Sequence, residues 1–385
     1  MFKKIFNCAL LITILIFILS CDQAPLFYNI SVQVEPRDPI VGGTPTRMVV
    51  IDDTLFVGSV NSSRIHFFSK GSWNSVRTPG NHSLVALGAT STHLGVLVRT
   101  GSSLNSTVLY IYDLTSFNGS SMGVPAQIGI PSGYSAQSIF GAGTTFYIGV
   151  MHTNSNIEFY SVYSILQSAG NGTSLTTMVR EGVTTQVGDR QRSDIGMLSG
   201  AAVVSGATYL SAGGHVFPST GPAASINGIP DTITVTGLIS TGTTLIAVAR
   251  DGNNGRMYTR TGAGDFEHHL NGPVFTGGLG IKLAANGSTP EALLIGVRGS
   301  GMNDHGYREL LINTGGTLES SLRNPSTTDA VHRGSIGVRP VLDIMQIPHG
   351  VLGQQAADWT GNILFAGTSL NGLMSNRRGD WNAED

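Results

Sequence analysis

Asp251-Gly252-Asn253-Asn254-Gly255 invites a calcium reading, because side-chain oxygens recur along it. It lacks the continuing acidic ligands and the distal Glu of an EF-hand loop, so a hairpin turn is the better expectation. The ten histidines are scattered along the chain. His268 and His269 are adjacent, and neighbours on a strand face opposite sides and cannot share a metal. Arg99, Arg250 and Arg298 each stand just beyond an apolar run, where they either gather around an anion or solvate loops. The polar, Gly-rich stretch 298–306 suits a long turn or a ligand-facing loop. Gly277-Gly278-Leu279-Gly280 opens no helix and is not a phosphate loop. No catalytic residue, metal ligand or cofactor is expected from these patterns.

One stretch recurs along the chain: Thr54-Leu55-Phe56-Val57-Gly58-Ser59. Similar runs begin at His93, Thr145, Thr208, Thr244, Ala292 and Asn362, which makes seven copies. Each is about six residues long and apolar on consecutive positions, as a strand buried on both faces requires. Gly, Ser and Thr interrupt them too often for helices. A second short run precedes several copies across a tight turn, as Met48–Ile51 does before Thr54, and each pair reads as a hairpin. Wetter strands follow, such as Arg64–Ser69 and Arg256–Arg260. The expectation is an all-β fold: a β-propeller of seven blades, each of four antiparallel strands. The seven copies are read as the innermost strands, with Gly58, Gly149, Gly296 and Gly367 relieving crowding near the axis. The stretch Ser161 to Leu166 is read as one or two helical turns at best.

The composition fits. The chain has 385 residues, 51 glycines and only 12% charged residues, with a net charge of −2. A near-neutral surface gives no basic stripe for nucleic acid, which is excluded as a partner. Four-stranded blades of about 40–50 residues each fill residues 26–385 as one domain. The longest intervals between copies, Asn171 to Ser199 and Thr314 to Gly361, are the expected partner-binding loops.

Residues 1–20 carry Lys3 and Lys4 followed by an apolar run from Ala9 to Leu19, too short to span a bilayer and right for a signal peptide. The run ends in Ile18-Leu19-Ser20-Cys21, which resembles the lipobox of bacterial lipoproteins in a relaxed form. The resemblance implies that Cys21 is the site of lipid attachment, that residues 21–25 are the tether, and that the protein is anchored at a bacterial cell membrane or outer membrane, facing the periplasm or the exterior. Cys8 lies in the signal, so the mature chain holds no other cysteine for catalysis or metal. Leu26–Val34 alternates as a strand does and is expected to complete the last blade. Residues 22–25 then span roughly 13–14 Å, which would hold the body against the membrane.

Ser69-Lys70-Gly71-Ser72-Trp73 and Ser375-Asn376-Arg377-Arg378-Gly379-Asp380-Trp381 end in Gly-x-Trp. They resemble degenerate Asp-box turns of sialidase-like and related propellers, in which the Trp staples an outer strand. The resemblance implies blades rather than catalysis. The expected role is a non-catalytic binding or scaffold module for an envelope protein or extracellular ligand. The rivals are a sialidase-like carbohydrate-active hydrolase and an outer-membrane β-barrel. Arginines gathered at a pore would favour the hydrolase, and an apolar pore would favour binding.

Overall fold

The structure, a computed structural model, describes residues 40–383 apart from internal stretches, of which 167–178, 181–196, 324–335 and 348–362 are the longest. Residues 39–384 form one compact unit. Seven antiparallel sheets follow one another in chain order. The first holds β1 (Val49–Ile51), β2 (Thr54–Gly58), β3 (Arg64–Ser69) and β4 (Ser72–Arg77). The second holds β5 (Ser83–Ala89), β6 (His93–Arg99), β7 (Thr107–Asp113) and β8 (Ala126–Gly129). The third holds β9 (Tyr134–Ala142), β10 (Thr145–Asn154), β11 (Ile157–Leu166) and β12 (Val179–Arg180). The fourth holds β13 (Leu198–Val204), β14 (Ala207–Ala212) and β15 (His215–Pro218). The fifth holds β16 (Thr234–Thr241), β17 (Thr244–Asp251), β18 (Asn254–Thr261) and β19 (Glu267–Gly272). The sixth holds β20 (Val274–Leu283), β21 (Pro290–Arg298) and β22 (Gly306–Leu311). The seventh holds β23 (Val341–Ile347), β24 (Ile363–Thr368), β25 (Gly372–Asn376) and β26 (Trp381–Ala383).

The two three-stranded sheets fill their outer position with irregular backbone. Ile226 donates its N–H to Val216 in the fourth sheet, and Glu309 and Arg323 exchange main-chain hydrogen bonds in the sixth. Ser161–Leu166 lies inside strand β11, so the helical expectation there is corrected. The β11 partner β10 supplies a ten-residue ladder, and that pairing overrides a weak local helical preference.

All seven recurrent runs are strands, but they are the second strand of each sheet rather than the innermost. The first strands pack on one another from sheet to sheet and surround a central channel. The burial patterns give the reason. In β2 every residue is buried, and in β6 all but the last. Their alternate side chains enter two different cores: Phe56 packs toward the second sheet, while Leu55 and Val57 pack toward the seventh. Likewise Leu293 and Ile295 face the fifth sheet, and Leu294 the seventh. A strand squeezed between two sheets must be apolar on both parities. The first strands border the channel and mix buried with half-buried residues, as in β23.

Seven apolar clusters fill the seams between successive sheets, and one of them joins the last sheet to the first. Each fully buried Leu or Ile there contributes roughly 1.5–3 kcal/mol. Among the described residues hydroxyls bond across five of the seams: the Thr107 hydroxyl accepts the Ala136 N–H at 2.8 Å, Ser138 donates to Leu198 O at 2.9 Å, Ser240 to Val203 O at 2.9 Å, Thr236 to Phe275 O at 3.4 Å, and Thr276 to Val341 O. The ring closes where Met48, Val41 and Leu55 meet Ile347, Phe365 and Leu373. Main-chain N–H groups of Gly372 and Leu373 donate to Gly43 and Val41 there. This is a β-propeller. The seventh sheet takes its four described strands from Val341–Ala383, and the expected N-terminal strand at 26–34 lies outside the described residues, as does Cys21.

The second-strand glycines relieve crowding against the next sheet rather than at the axis. A Cβ on Gly58 would stand 2.2 Å from the Leu84 side chain, and one on Gly296 would stand 2.2 Å from Val341 O. Crowding at the axis is met in β20 instead, by the run first weighed as a phosphate loop. Cβ atoms at Gly278 and Gly280 would collide with the β23 backbone, at 2.8 Å from Leu342 and 2.4 Å from Ile344.

The interval Thr314 to Gly361 is not purely a loop, since Val341–Ile347 within it is a channel-lining strand. Most of the interval Asn171 to Ser199 lies outside the described residues. A membrane barrel needs one continuous closed sheet, and the strands here form separate sheets. No helix among the described residues is long and apolar enough to cross a membrane.

Candidate functional site: the central channel

The first strands reach the channel through a repeated irregularity. In the second to seventh sheets the first strand loses register near its start, as between Leu84 and Ala86, Leu198 and Gly200, and Val341 and Asp343. A bulge of this kind bends the strand and re-aims the next side chain. In β23 that side chain is Asp343, which lines the channel wall.

Asp343 is held by the main chain. Its Oδ2 accepts the Met48 N–H at 2.5 Å and its Oδ1 accepts the Ile344 N–H at 3.1 Å. Burial pushes its carboxyl up to about 6, against the opposing pull of Arg47 and the two N–H donors. Arg47 projects into the channel just ahead of β1. Its guanidinium lies 4.7 Å from the Phe140 ring centroid, on β9 of the third sheet, in a cation–π arrangement. Among the described residues it makes no side-chain hydrogen bond.

Arg47 marks the junction of two chambers. The smaller is about 140 Å³ and is bordered by Ala201, Ser240, Gly277 and Asp343. The larger is about 400 Å³ and is walled by Val50, Ile281, Leu283, Met345 and Ile347. Ile239 and Leu279 border both. Among the described residues, aliphatic side chains make up most of the larger chamber's wall, and the smaller chamber adds Ser240 and Asp343.

The residues singled out from sequence lie elsewhere. Arg99, Arg250 and Arg298 sit near the ends of β6, β17 and β21, in three different sheets, and Arg250 donates to Gly252 O of its own turn at 2.8 Å. Asp251 and Asn254 close the β17–β18 hairpin, with Asp251 bound to Arg256 at 2.8 Å. His268 meets Asn271 at 3.1 Å and the Tyr258 ring edge-on, while His269 bonds Glu319 O at 2.7 Å. No group of three or more His, Cys, Asp or Glu gathers among the described residues. Of stretch 298–306, residues 300–304 lie outside the described residues, and Gly299 N–H donates to His305 Nδ1 at 3.2 Å.

The two Gly-x-Trp tryptophans behave as staples. Trp73 packs on Phe68 with ring centroids 5.1 Å apart. Trp381 is buried edge-on against Tyr307 of the sixth sheet at 5.8 Å and hydrogen-bonds its hydroxyl. One pattern escaped the sequence reading: Gly119-Ser120-Ser121-Met122-Gly123 has the spacing of a nucleophile elbow. It lies in the irregular connection between β7 and β8, with no helix after it, and the Ser121 hydroxyl accepts the Gly123 N–H at 3.4 Å. Arg47 and Asp343 were also passed over, because 296 positions separate them and neither belongs to a local motif.

The fold defines a β-propeller whose larger described chamber is walled mainly by aliphatic side chains. No protein-family model and no curated protein matches the chain in sequence. Among solved structures, the chain is similar to PorZ, an essential surface component of the type-IX secretion system of Porphyromonas gingivalis, with a TM-score of 0.51 and 11% identity over 90% of this chain. The chain spans 38% of PorZ. The β-propeller domain of the Trilobed protease from Pyrococcus furiosus matches with a TM-score of 0.44 and 10% identity, over 73% of this chain and 83% of that one. A luciferin-regenerating enzyme matches with a TM-score of 0.40 and 11% identity, over 74% and 92%.

Proposed function

We propose that this chain is a lipid-anchored lipoprotein of a bacterial cell envelope whose seven-bladed propeller is a binding or scaffold module rather than an enzyme. Residues 1–20 are the signal, Cys21 carries the lipid and residues 21–25 are the tether. Seven sheets with seven filled seams support the blade count. The envelope location rests on the lipobox resemblance at Ile18-Leu19-Ser20-Cys21, and is in keeping with the surface location of PorZ.

The observation that carries the binding reading is the channel wall. A sialidase-like site needs several arginines with a Tyr and a carboxylate at the pore. The described wall is aliphatic, and its one carboxylate, Asp343, is engaged by two main-chain N–H groups. An apolar concavity with few polar groups is the make-up of a ligand site.

Metabolic labelling with a palmitate analogue tests the anchor. The full chain should take up label and sediment with membranes, and Cys21→Ser should do neither. Cross-linking in whole cells, followed by purification of the full chain, tests the scaffold role by returning one specific envelope partner or ligand. Turnover of sialosides by the purified chain would sink the non-catalytic reading.

A further inference from the structure

We infer that the larger channel chamber binds an amphiphile with one carboxylate head and a short apolar tail, the head held by Arg47. This deepens the binding reading above and rests on it.

The first support is the state of Arg47. A guanidinium offers five N–H donors in a planar fork suited to a carboxylate. Its guanidinium face lies over the Phe140 ring and it attracts the Asp343 carboxylate, and among the described residues its fork donates no hydrogen bond that would compete with a ligand. Asp343 is the nearby acid, yet both of its oxygens are already bonded to the main chain. Arg47 is exposed to solvent, so its hold on an anion is that of a charged hydrogen bond at a wetted chamber mouth.

The second support is shape. Arg47 stands where the two chambers meet, so a head group on it leaves the tail to enter the larger chamber. That chamber is walled by Val50, Leu279, Ile281, Leu283, Met345 and Ile347, with Gln346 as its other polar side chain. The Gln346 Oε1 accepts the Leu283 N–H and so helps hold β20 to β23. The volume of about 400 Å³ lies at the lower end of ligand pockets, which run from roughly 300 to 1,000 Å³. It therefore suits a short tail rather than a full-length lipid.

The test uses the purified full chain in mild detergent and decanoic acid carrying a diazirine in its tail. After irradiation, adducts are mapped by mass spectrometry. They should fall on Val274–Leu283 and Val341–Ile347, excess decanoate should suppress them, and decanol should not. Arg47→Met should lower labelling about tenfold, the loss expected for one charged hydrogen bond, and Arg47→Lys should lower it less. Adducts scattered over outer strands, equal competition by decanol, or full labelling of Arg47→Met would overturn the inference. Should Arg47→Met fail to fold, the decanoate and decanol comparison on the unaltered chain decides alone. If this labelling fails while Cys21 lipidation and partner capture hold, the amphiphile site falls and the anchored-scaffold reading stands.

Discussion

The Asp343 carboxylate and the Met48 main-chain N–H meet at 2.5 Å, across a sequence separation of 295 residues. The bond ties the last sheet to the backbone leading into the first, beside the seam of Met48, Leu55, Ile347 and Phe365. A propeller without such a seam would expose two unpaired faces of its terminal sheets. This polar link and the apolar seam join the same two sheets.

Removing that acceptor should weaken closure. Asp343→Ala leaves the Met48 N–H without its partner, and stability should fall by about 1–3 kcal/mol. Thermal unfolding followed by circular dichroism measures it. An unchanged midpoint would mean that the apolar seam alone holds the ring.

The same carboxyl sets a pH dependence. Burial raises its folded-state pKa from the ordinary 3.8 to about 6. The folded chain then binds more protons than the unfolded chain in that window, so stability from this group falls as pH rises through it. Asp343→Asn cannot titrate. The melting temperature of the variant minus that of the unaltered chain should increase from about pH 5 to about pH 7.5. A flat or falling difference in calorimetry would contradict the assignment.

Gly296 and Gly129 should respond in opposite ways to alanine. A Cβ at Gly296 meets Val341 O at 2.2 Å, whereas one at Gly129 has nothing within 4 Å. Gly296→Ala should cost about 1–3 kcal/mol by forcing the sixth and seventh sheets apart. Gly129→Ala should be neutral or slightly stabilising. Chemical denaturation of both variants distinguishes inter-sheet crowding from a general intolerance of strand substitution.

Trp381 joins two sheets through a ring and an N–H. Trp381→Phe keeps most of the packing against Tyr307 and loses the hydrogen bond, at about 1 kcal/mol. Trp381→Ala should cost about 3–5 kcal/mol. A double-mutant cycle with Tyr307→Phe isolates the hydrogen bond. Additive effects would show that it contributes nothing.

A tether of residues 22–25 would keep the body close to the bilayer, with a reach of roughly 13–14 Å. Limited proteolysis of membrane-bound protein should cut slowly between Cys21 and Leu26. Rapid release of an intact propeller by cleavage there would argue for a longer stalk.

The sequence by itself determined the all-β class and the second strand of each sheet, because burial between two sheets writes an unbroken apolar run that needs no partner to be recognised. Thr54–Gly58, His93–Arg99 and the five later copies stand out for that reason. It also carried the Gly-x-Trp staples and the hairpin at Asp251, which are local. It misplaced the repeats along the radius, since the driest strand is the one with a sheet on either side, and the innermost strand keeps one face toward the channel. It passed over β23 because a channel-lining strand mixes Asp343 and Gln346 with apolar residues and resembles a loop. Only the tertiary structure decided the site. Arg47, Phe140 and Asp343 come from the chain's approach to the first sheet, from the third sheet and from the seventh, and they converge because the ring closes. Convergence of that kind follows from the summed geometry of seven packed sheets, which no single stretch of residues encodes.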